Sequence, residues 1–395
     1  MTVTQHARTR ILAIATNPET GASTRFRVLQ WVLALEAAGF TLTLDAFFSA
    51  GDAAALYRRG GLLSKVGSAA AGTVRRGMTL LRAPHRADVL FIHREAFPLG
   101  RRLFWSALKR FHGPIIYDYD DAMFLPQRAG RGFLARLEDL ETPKAVMAMS
   151  TLVLAGNEFL ATYARSYARR VVVLPTCIDT QRFVPRTRQK DPRAPLILGW
   201  IGSHTTAKYL HSLRRVLEAV ARTVPFRLYV VGSPEPPTVH GVDVDVARWS
   251  LGREVEDFQR CDIGLYPLWD DPWAQGKCAF KAIQFMACGV PVVAAAVGAN
   301  QHIIQDDANG YLASSEDEWV EKLTRLLVDP TLRDRFAQAG RQTIEARYSL
   351  VAHARTLVDA LTNALNGRGQ VPVSLARGSG LTIAMPEPAL VRRSA

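Results

Sequence analysis

Residues 269–300, WDDPWAQGKCAFKAIQFMACGVPVVAAAVGAN, restrict the fold of this chain more than any other stretch. The periodicity over 277–288 predicts a helix, and Gly289 stands where a helix end favours a residue free to take positive φ. Pro291 then opens the apolar run PVVAAAV, the composition of a parallel strand covered on both faces. Helix, glycine turn and buried strand in direct succession belong to an α/β sheet. At about 100° per residue, Lys277, Lys281, Gln284 and Cys288 fall on one narrow stripe, and nearly every other position is apolar. A helix apolar around most of its girth packs inside a protein, so its few polar groups face either a wet cleft or a solvated edge. Two lysines and an amide suit a ligand bearing phosphates and hydroxyls.

The same design recurs along the chain. Residues 11–16 read as a strand, followed by a turn with Gly21 and a helix to about Ala38 that carries Arg25 in its first turns. Strands follow at 40–48 and 89–93, a helix at 99–111, and a strand at 115–117 that runs into Asp118, Tyr119, Asp120 and Asp121. His93, Arg94, Asp120 and Asp121 thus sit at or just beyond the carboxyl ends of two strands, the edge at which open α/β sheets bind ligands. Helices at 133–149 and 157–167 alternate with strands at 151–154 and 171–174. Periodicity then gives way to Pro and charge, which marks a linker at 181–195. A second alternation starts at 196–201, where GWIGSHTTAKYL repeats strand, loop and helix. Gly202 and Ser203 lie in that turn and Lys208 in the first turn of the helix, so N–H groups and a cation converge as an anion site would need. Helices are expected at 319–327, 330–346 and 350–365, and the Gly-, Pro- and Arg-rich tail beyond 366 is expected to lack order. The fold class is therefore α/β, with two Rossmann-like domains, 1–180 and 196–348, facing across a cleft. The helix at 349–365 is expected to pack back on the first.

With 395 residues, 48% of them hydrophobic, the chain can bury two such cores. The formal net charge of +13 is uneven: residues 51–112 carry twelve Lys and Arg against Asp52, Asp88 and Glu95. Within 50–86, Arg58, Arg59, Lys65, Arg75, Arg76 and Arg82 interleave with leucines, valines and Met78. Such a segment suits an anionic membrane surface or a solvent-facing helical insertion, and both readings stay open. No RNA- or DNA-reading motif accompanies the basic residues, so nucleic acid is not expected as a partner. Cys177, Cys261, Cys278 and Cys288 are too widely spaced for a C-x-x-C pair and have no histidine at metal-ligand spacing, as in a reducing compartment. The first apolar run is too short for a signal peptide, and the longest uncharged stretch, 286–299, is broken by Gly and Pro. A cytoplasmic location, at most peripheral at the inner face of a membrane, is the expectation.

In order, GWIGSHTTAKYL, DFQRCDIGLYPL, GKCAFKAIQFMACGVPVVAAAVGANQHII and DDANGYLA resemble the donor-binding domain of glycosyltransferases with two Rossmann-like domains, the GT-B fold. The resemblance is to the retaining family-four type, the glycosyl transferases group 1. It covers 196–348 well and extends more weakly through GASTRFRVLQWV, YDYDDAMF, AGNEFLATYA and LPTCIDTQRF. It implies transfer from a nucleotide-diphosphate sugar to a hydroxyl of a glycan, lipid-linked or small-molecule acceptor, across a closing cleft, with no cofactor and no metal. Lys208 falls where such enzymes place a lysine on the donor diphosphate, while their arginine five positions earlier is Ser203 here. Of their paired glutamates, the second corresponds to Gln284 and the first to Gly276; a branch of the family lacks both acids. The residues so implied are Gly202, Ser203, Lys208, Lys277, Lys281, Gln284, Gly298 and Asn300 for the donor. Gly21, Arg25 and Arg94 fall on the acceptor side, and His93, Asp120, Asp121 and Lys281 are the catalytic candidates.

Three other readings compete. Asp118-Tyr119-Asp120 is literally D-x-D, the manganese signature of one-domain glycosyltransferases, but that reading leaves the second domain and its lysines unexplained. Nucleotide-sugar epimerases share the two-domain architecture. Gly276 and Ser203 also suit a non-catalytic nucleotide-sugar binding protein.

Overall fold

Two parallel six-stranded sheets organise the computed structural model, which describes residues 8–52, 62–95, 101–126, 140–185 and 194–367. In the first, β1 (Thr9–Ala15), β2 (Phe40–Ala46), β3 (Val89–His93), β4 (Ile115–Tyr119), β5 (Leu152–Ala155) and β6 (Val171–Val173) run in the order β2-β1-β3-β4-β5-β6. In the second, β7 (Leu196–Ile201), β8 (Phe226–Val231), β9 (Asp243–Ala247), β10 (Ile263–Tyr266), β11 (Val292–Ala295) and β12 (Tyr311–Ala313) run β12-β11-β10-β7-β8-β9. Every residue of β3, β4, β5 and β11 is buried, as expected of strands covered by helices on both faces. Strand order reverses between β1 and β3 and again between β7 and β10, and each reversal opens a crevice at the carboxyl edge.

Several expected elements differ in extent. β4 continues to Tyr119, so Asp118 is a strand residue with no exposure at all. The segment expected as one helix to Ala38 is three pieces, Ala22–Arg27, a single 3-10 turn Leu29–Trp31, and Val32–Ala37. The break falls at Val28, whose φ of −122° is not helical.

The largest correction concerns 277–288. The helix there is Phe280–Ala287, so Lys277 is not on it and the expected four-residue stripe does not form. The cause is tertiary: Asn157 Nδ2 donates to the carbonyls of Gln275 at 3.2 Å and Lys277 at 3.1 Å, removing both from helical pairing. Ala279 then turns the chain with φ 52° and ψ 27°, left-handed values that a non-glycine residue adopts only under constraint.

The helix Leu350–Leu365 returns to the first sheet, where Leu357, Ala360, Leu361 and Ala364 pack among Val28, Trp31 and Leu35. Much of the expected linker, residues 186–193, lies outside the described residues, as do the tail 368–395 and Arg58 and Arg59. No helix among the described residues is long and apolar enough to cross a membrane.

Among the contacts between the domains are an aromatic one and a polar one. Phe26 and Phe280 lie 4.4 Å apart between ring centres. Beside them Arg25 makes two bonds to Glu254, at 2.8 and 2.9 Å, and Arg182 adds a third at 3.0 Å. Glu254 is 2% exposed, so its charge depends on these partners. Replacing Glu254 by alanine strands the partly buried Arg25. The expected result is a loss of about 3 kcal/mol, the low end for a broken buried pair because Arg182 keeps solvent access. Urea unfolding measures the loss, and a rise in the radius of gyration by small-angle scattering would show the domains parting.

Candidate active site at the domain cleft

The first-domain wall is built at the carboxyl ends of β3 and β4. His93, the last residue of β3, places Nδ1 2.8 Å from Asp118 Oδ2. Arg27 donates to both oxygens of the same carboxylate, and its Nη1 donates to the Leu174 carbonyl at 2.7 Å. Asp118 therefore holds a guanidinium and an imidazole together in a region closed to solvent. With Nδ1 committed to Asp118, the other ring nitrogen, Nε2, is buried with no protein partner.

One residue further on, Arg94 takes φ 53° while its N–H donates to the Asp118 carbonyl at 2.8 Å. That turn sets its guanidinium between two carboxylates, bonding Asp120 and reaching Asp121 Oδ2 at 2.9 Å. Burial alone would raise the Asp120 carboxyl. Arg94 outweighs it, with His93 and Arg27 adding, and holds Asp120 below the ordinary carboxylate range. The opposite oxygen of Asp121 lies 3.9 Å from Lys277 Nζ, which reaches across from the second domain.

The second-domain wall begins where Asn157 catches the 275–277 backbone. Cys278 Sγ donates to the Asp120 carbonyl at 3.4 Å, and Gly276 lies against Ala122. A Cβ on Gly276 would stand 2.5 Å from Ala122 Cβ and 2.9 Å from its nitrogen. No side chain fits position 276 while the walls meet this way, which gives the missing acid a steric reason.

Along the helix Phe280–Ala287, Lys281 Nζ donates to Gln284 Oε1 at 2.9 Å and lies 5.3 Å from the centre of the Phe258 ring. Burial pushes the Lys281 ammonium down to about 8, with Glu254 opposing and Arg25 reinforcing the shift. Gln284 has no exposure, and its Nε2 has no partner. After β11, Gly298 takes φ 53° close to the Ala274 carbonyl, and the buried Asn300 donates Nδ2 to the Ala295 carbonyl at 2.9 Å with Oδ1 unpartnered.

In the turn after β7, Gly202 packs against the Trp200 ring, where a Cβ would stand 2.4 Å away. The Ser203 N–H donates to Thr206 Oγ1 at 3.0 Å. Lys208 Nζ lies over the Trp269 ring at 4.8 Å and the Tyr209 ring at 5.1 Å.

The structure thus pairs Lys281 with Gln284 and sends Lys277 to Asp121 instead. Arg25 and Arg94 are already ion-paired, to Glu254 and to the two aspartates, and Gly21 serves the turn before Ala22–Arg27. Asp118 and Asp120 are held by different cations, Arg27 and Arg94, which is not the arrangement of a shared metal pair. Asp118, Arg27 and Glu254 are absent from the sequence-derived set. The alternation Tyr117-Asp118-Tyr119-Asp120 was the available signal for Asp118, since the two tyrosines stack on one face at 5.3 Å. Glu254 carried none. A glutamate at position 276 is expected to wedge the domains apart, so Gly276→Glu should raise the radius of gyration and lower Tm; unchanged scattering would refute the steric account.

Residues 195–329 match the family described as Glycosyl transferases group 1. D-inositol 3-phosphate glycosyltransferase of Stackebrandtia nassauensis is 28% identical over 253 residues, 57% of this chain and 56% of that protein. The chain thus spans little more than half the length of that relative. The protein of the same name from Xylanimonas cellulosilytica is 26% identical over 321 residues, covering 71% of this chain and 73% of its own. Among solved structures, sucrose-phosphate synthase from Thermosynechococcus elongatus has a TM-score of 0.70 at 17% identity over 91% of this chain and 100% of its own. Anabaena HepE in complex with UDP and glucose has 0.63 at 13% identity, covering 90% and 100%. At these identities the likeness is one of fold, and the two facing sheets are the GT-B fold.

Proposed function

We propose that this protein, whose residues 195–329 match the glycosyl transferases group 1, moves a sugar from a nucleotide-diphosphate sugar to an acceptor hydroxyl, with retention and without a metal. One observation carries the reading. Three buried polar atoms have no protein partner: His93 Nε2 at the end of β3, Gln284 Nε2 on the helix Phe280–Ala287 and Asn300 Oδ1 just after β11. Unpartnered buried polar groups are costly, and a hydroxyl-rich ligand between the walls would satisfy them.

In the proposed arrangement the donor lies on the second domain. Gln284 bonds ribose hydroxyls, while Lys281 and Lys208 face the diphosphate beside the Gly202–Ser203 and Gly298 turns. As the glycosidic bond loosens, charge builds on the leaving nucleoside diphosphate. Fixed cations in a site shielded from water stabilise that charge more than they stabilise the bound donor. Lys281 and Lys277 supply the positive charge that Ser203 does not. On the facing wall, the carboxylates of Asp120 and Asp121 oppose the positive charge developing on the sugar, and His93 Nε2 shares a hydrogen bond with a sugar or acceptor hydroxyl. The UDP bound by Anabaena HepE makes uridine nucleotides the first donors to test.

A thermal-shift screen with UDP, GDP, ADP and their sugars tests the assignment. Stabilisation by one nucleoside diphosphate is expected, and its loss in Lys281→Met; no shift with any nucleotide would overturn the donor site. The pH dependence has a definite sign. Because burial lowers Lys281 to about 8, the free protein loses this cation as pH rises through that value, while a bound diphosphate favours the protonated form. Nucleotide affinity should therefore fall above pH about 8, and a Lys281→Met protein should lose that step. Incubation with donor alone separates transfer from epimerisation, since an epimerase converts the donor without an acceptor.

A further inference from the structure

We propose that the helix Leu62–Arg86 docks the first domain on an anionic lipid surface, with a headgroup phosphate seated in the arginine-lined cavity beside it. The helix has three distinct sides when its positions are laid out at about 100° per residue. Gly72, Arg76, Leu80 and Ala83 form the inner side, and all four are buried. Gly72 rests on Phe47, where a Cβ would stand 2.8 Å from the ring. On the outward side Val66, Val74, Met78 and Leu81 are 59%, 63%, 44% and 64% exposed. They fall within an arc of about 120°, so the helix presents a continuous apolar row to solvent rather than scattered apolar positions.

Arg75, Arg82 and Arg86 occupy the border between the two sides, within about 40° of one another. That border overlooks a cavity of about 540 Å³ lined by these three arginines together with Arg10, Thr41, Thr43 and Asp45, whose carboxylate is held by the buried Arg76 at 3.5 Å. No residue of the second domain lines it. Arg75 is fixed by donating to the carbonyls of Ala46 and Phe47, and Arg10 pairs with Asp88 at 3.0 Å. Among the described residues Arg82 and Arg86 have no ion-pair partner, so two positive charges remain uncompensated at the rim. Hydroxyls of Thr41 and Thr43 complete the chemistry that a phosphate monoanion needs.

Charge selects the occupant. The chain carries +13, so a second copy would bring the same arginines against this face. An anionic bilayer complements both features at once: apolar side chains enter the headgroup–acyl boundary while guanidinium groups stay at phosphate depth. Because only first-domain residues line the cavity, its occupant need not touch the second domain.

The test is co-sedimentation of the full chain with vesicles of phosphatidylglycerol and phosphatidylcholine mixed, compared with phosphatidylcholine alone. Binding to the anionic vesicles only, weakened by salt, is expected. The double variant Arg82→Gln/Arg86→Gln should reduce partitioning by about 30-fold, as for two charges near an anionic surface. Val74→Ser/Leu81→Ser should reduce binding with both arginines intact. Each variant changes exposed side chains outside the proposed donor site, so Tm and the nucleotide thermal shift should be unchanged. Absence of vesicle binding, equal binding to neutral vesicles, or undiminished binding in both variants would overturn the proposal. A wild-type dimer in light scattering that Val74→Ser/Leu81→Ser dissolves would overturn it in favour of a second copy.

Discussion

One buried carboxylate, Asp118, decides how the first domain presents itself to the second. It lies inside β4 with no exposure, holding Arg27 from the first helix and His93 from β3, while Arg27 also binds the Leu174 carbonyl beyond β6. A charge in that position costs several kcal/mol unless it is paired and bonded on several sides, and here three segments distant in sequence converge to meet the requirement. The same geometry sets His93 in one orientation and lets the Arg94 N–H reach the Asp118 carbonyl, turning Arg94 toward Asp120 and Asp121.

A second constraint joins the walls. Asn157, which caps its own helix by accepting from the Leu160 N–H at 2.9 Å, donates from the other end of its amide to the 275–277 backbone. That one side chain delays the start of the helix at Phe280, forces Ala279 into left-handed geometry and presses Gly276 onto Ala122. Lys277 is released from the helical stripe and faces Asp121, while Lys281 stays on the helix and bonds Gln284. The two lysines therefore stand at different places, Lys277 beside the carboxylate cluster and Lys281 beside Gln284.

The legibility of these features follows the range of the forces that make them. Val89–His93, Leu196–Ile201 and Leu350–Leu365 are readable from local pattern, because burial on both faces or one helical stripe is written in consecutive residues. The Lys281–Gln284 pair is readable too, since it is an i, i+3 relation within one helix. Asp118 in a strand, the late helix start and the seat of Gly276 are not. Each depends on a partner more than twenty residues away, and local periodicity carries no record of it. Glu254 shows the same limit, because nothing in EVEDFQ marks that acid as the one facing Arg25 across the cleft.

The central claim is that the carboxyl edge of the second sheet, facing Asp120 and Asp121, is a nucleotide-diphosphate-sugar site. Hydrogen–deuterium exchange with and without saturating UDP tests it most directly, since exchange reports protection along the whole backbone. Protection should concentrate in the turn after β7, at 277–284 and at 296–300, with the helix Leu62–Arg86 unchanged. Protection confined to the first domain, or none for UDP and for every other nucleoside diphosphate, would contradict it.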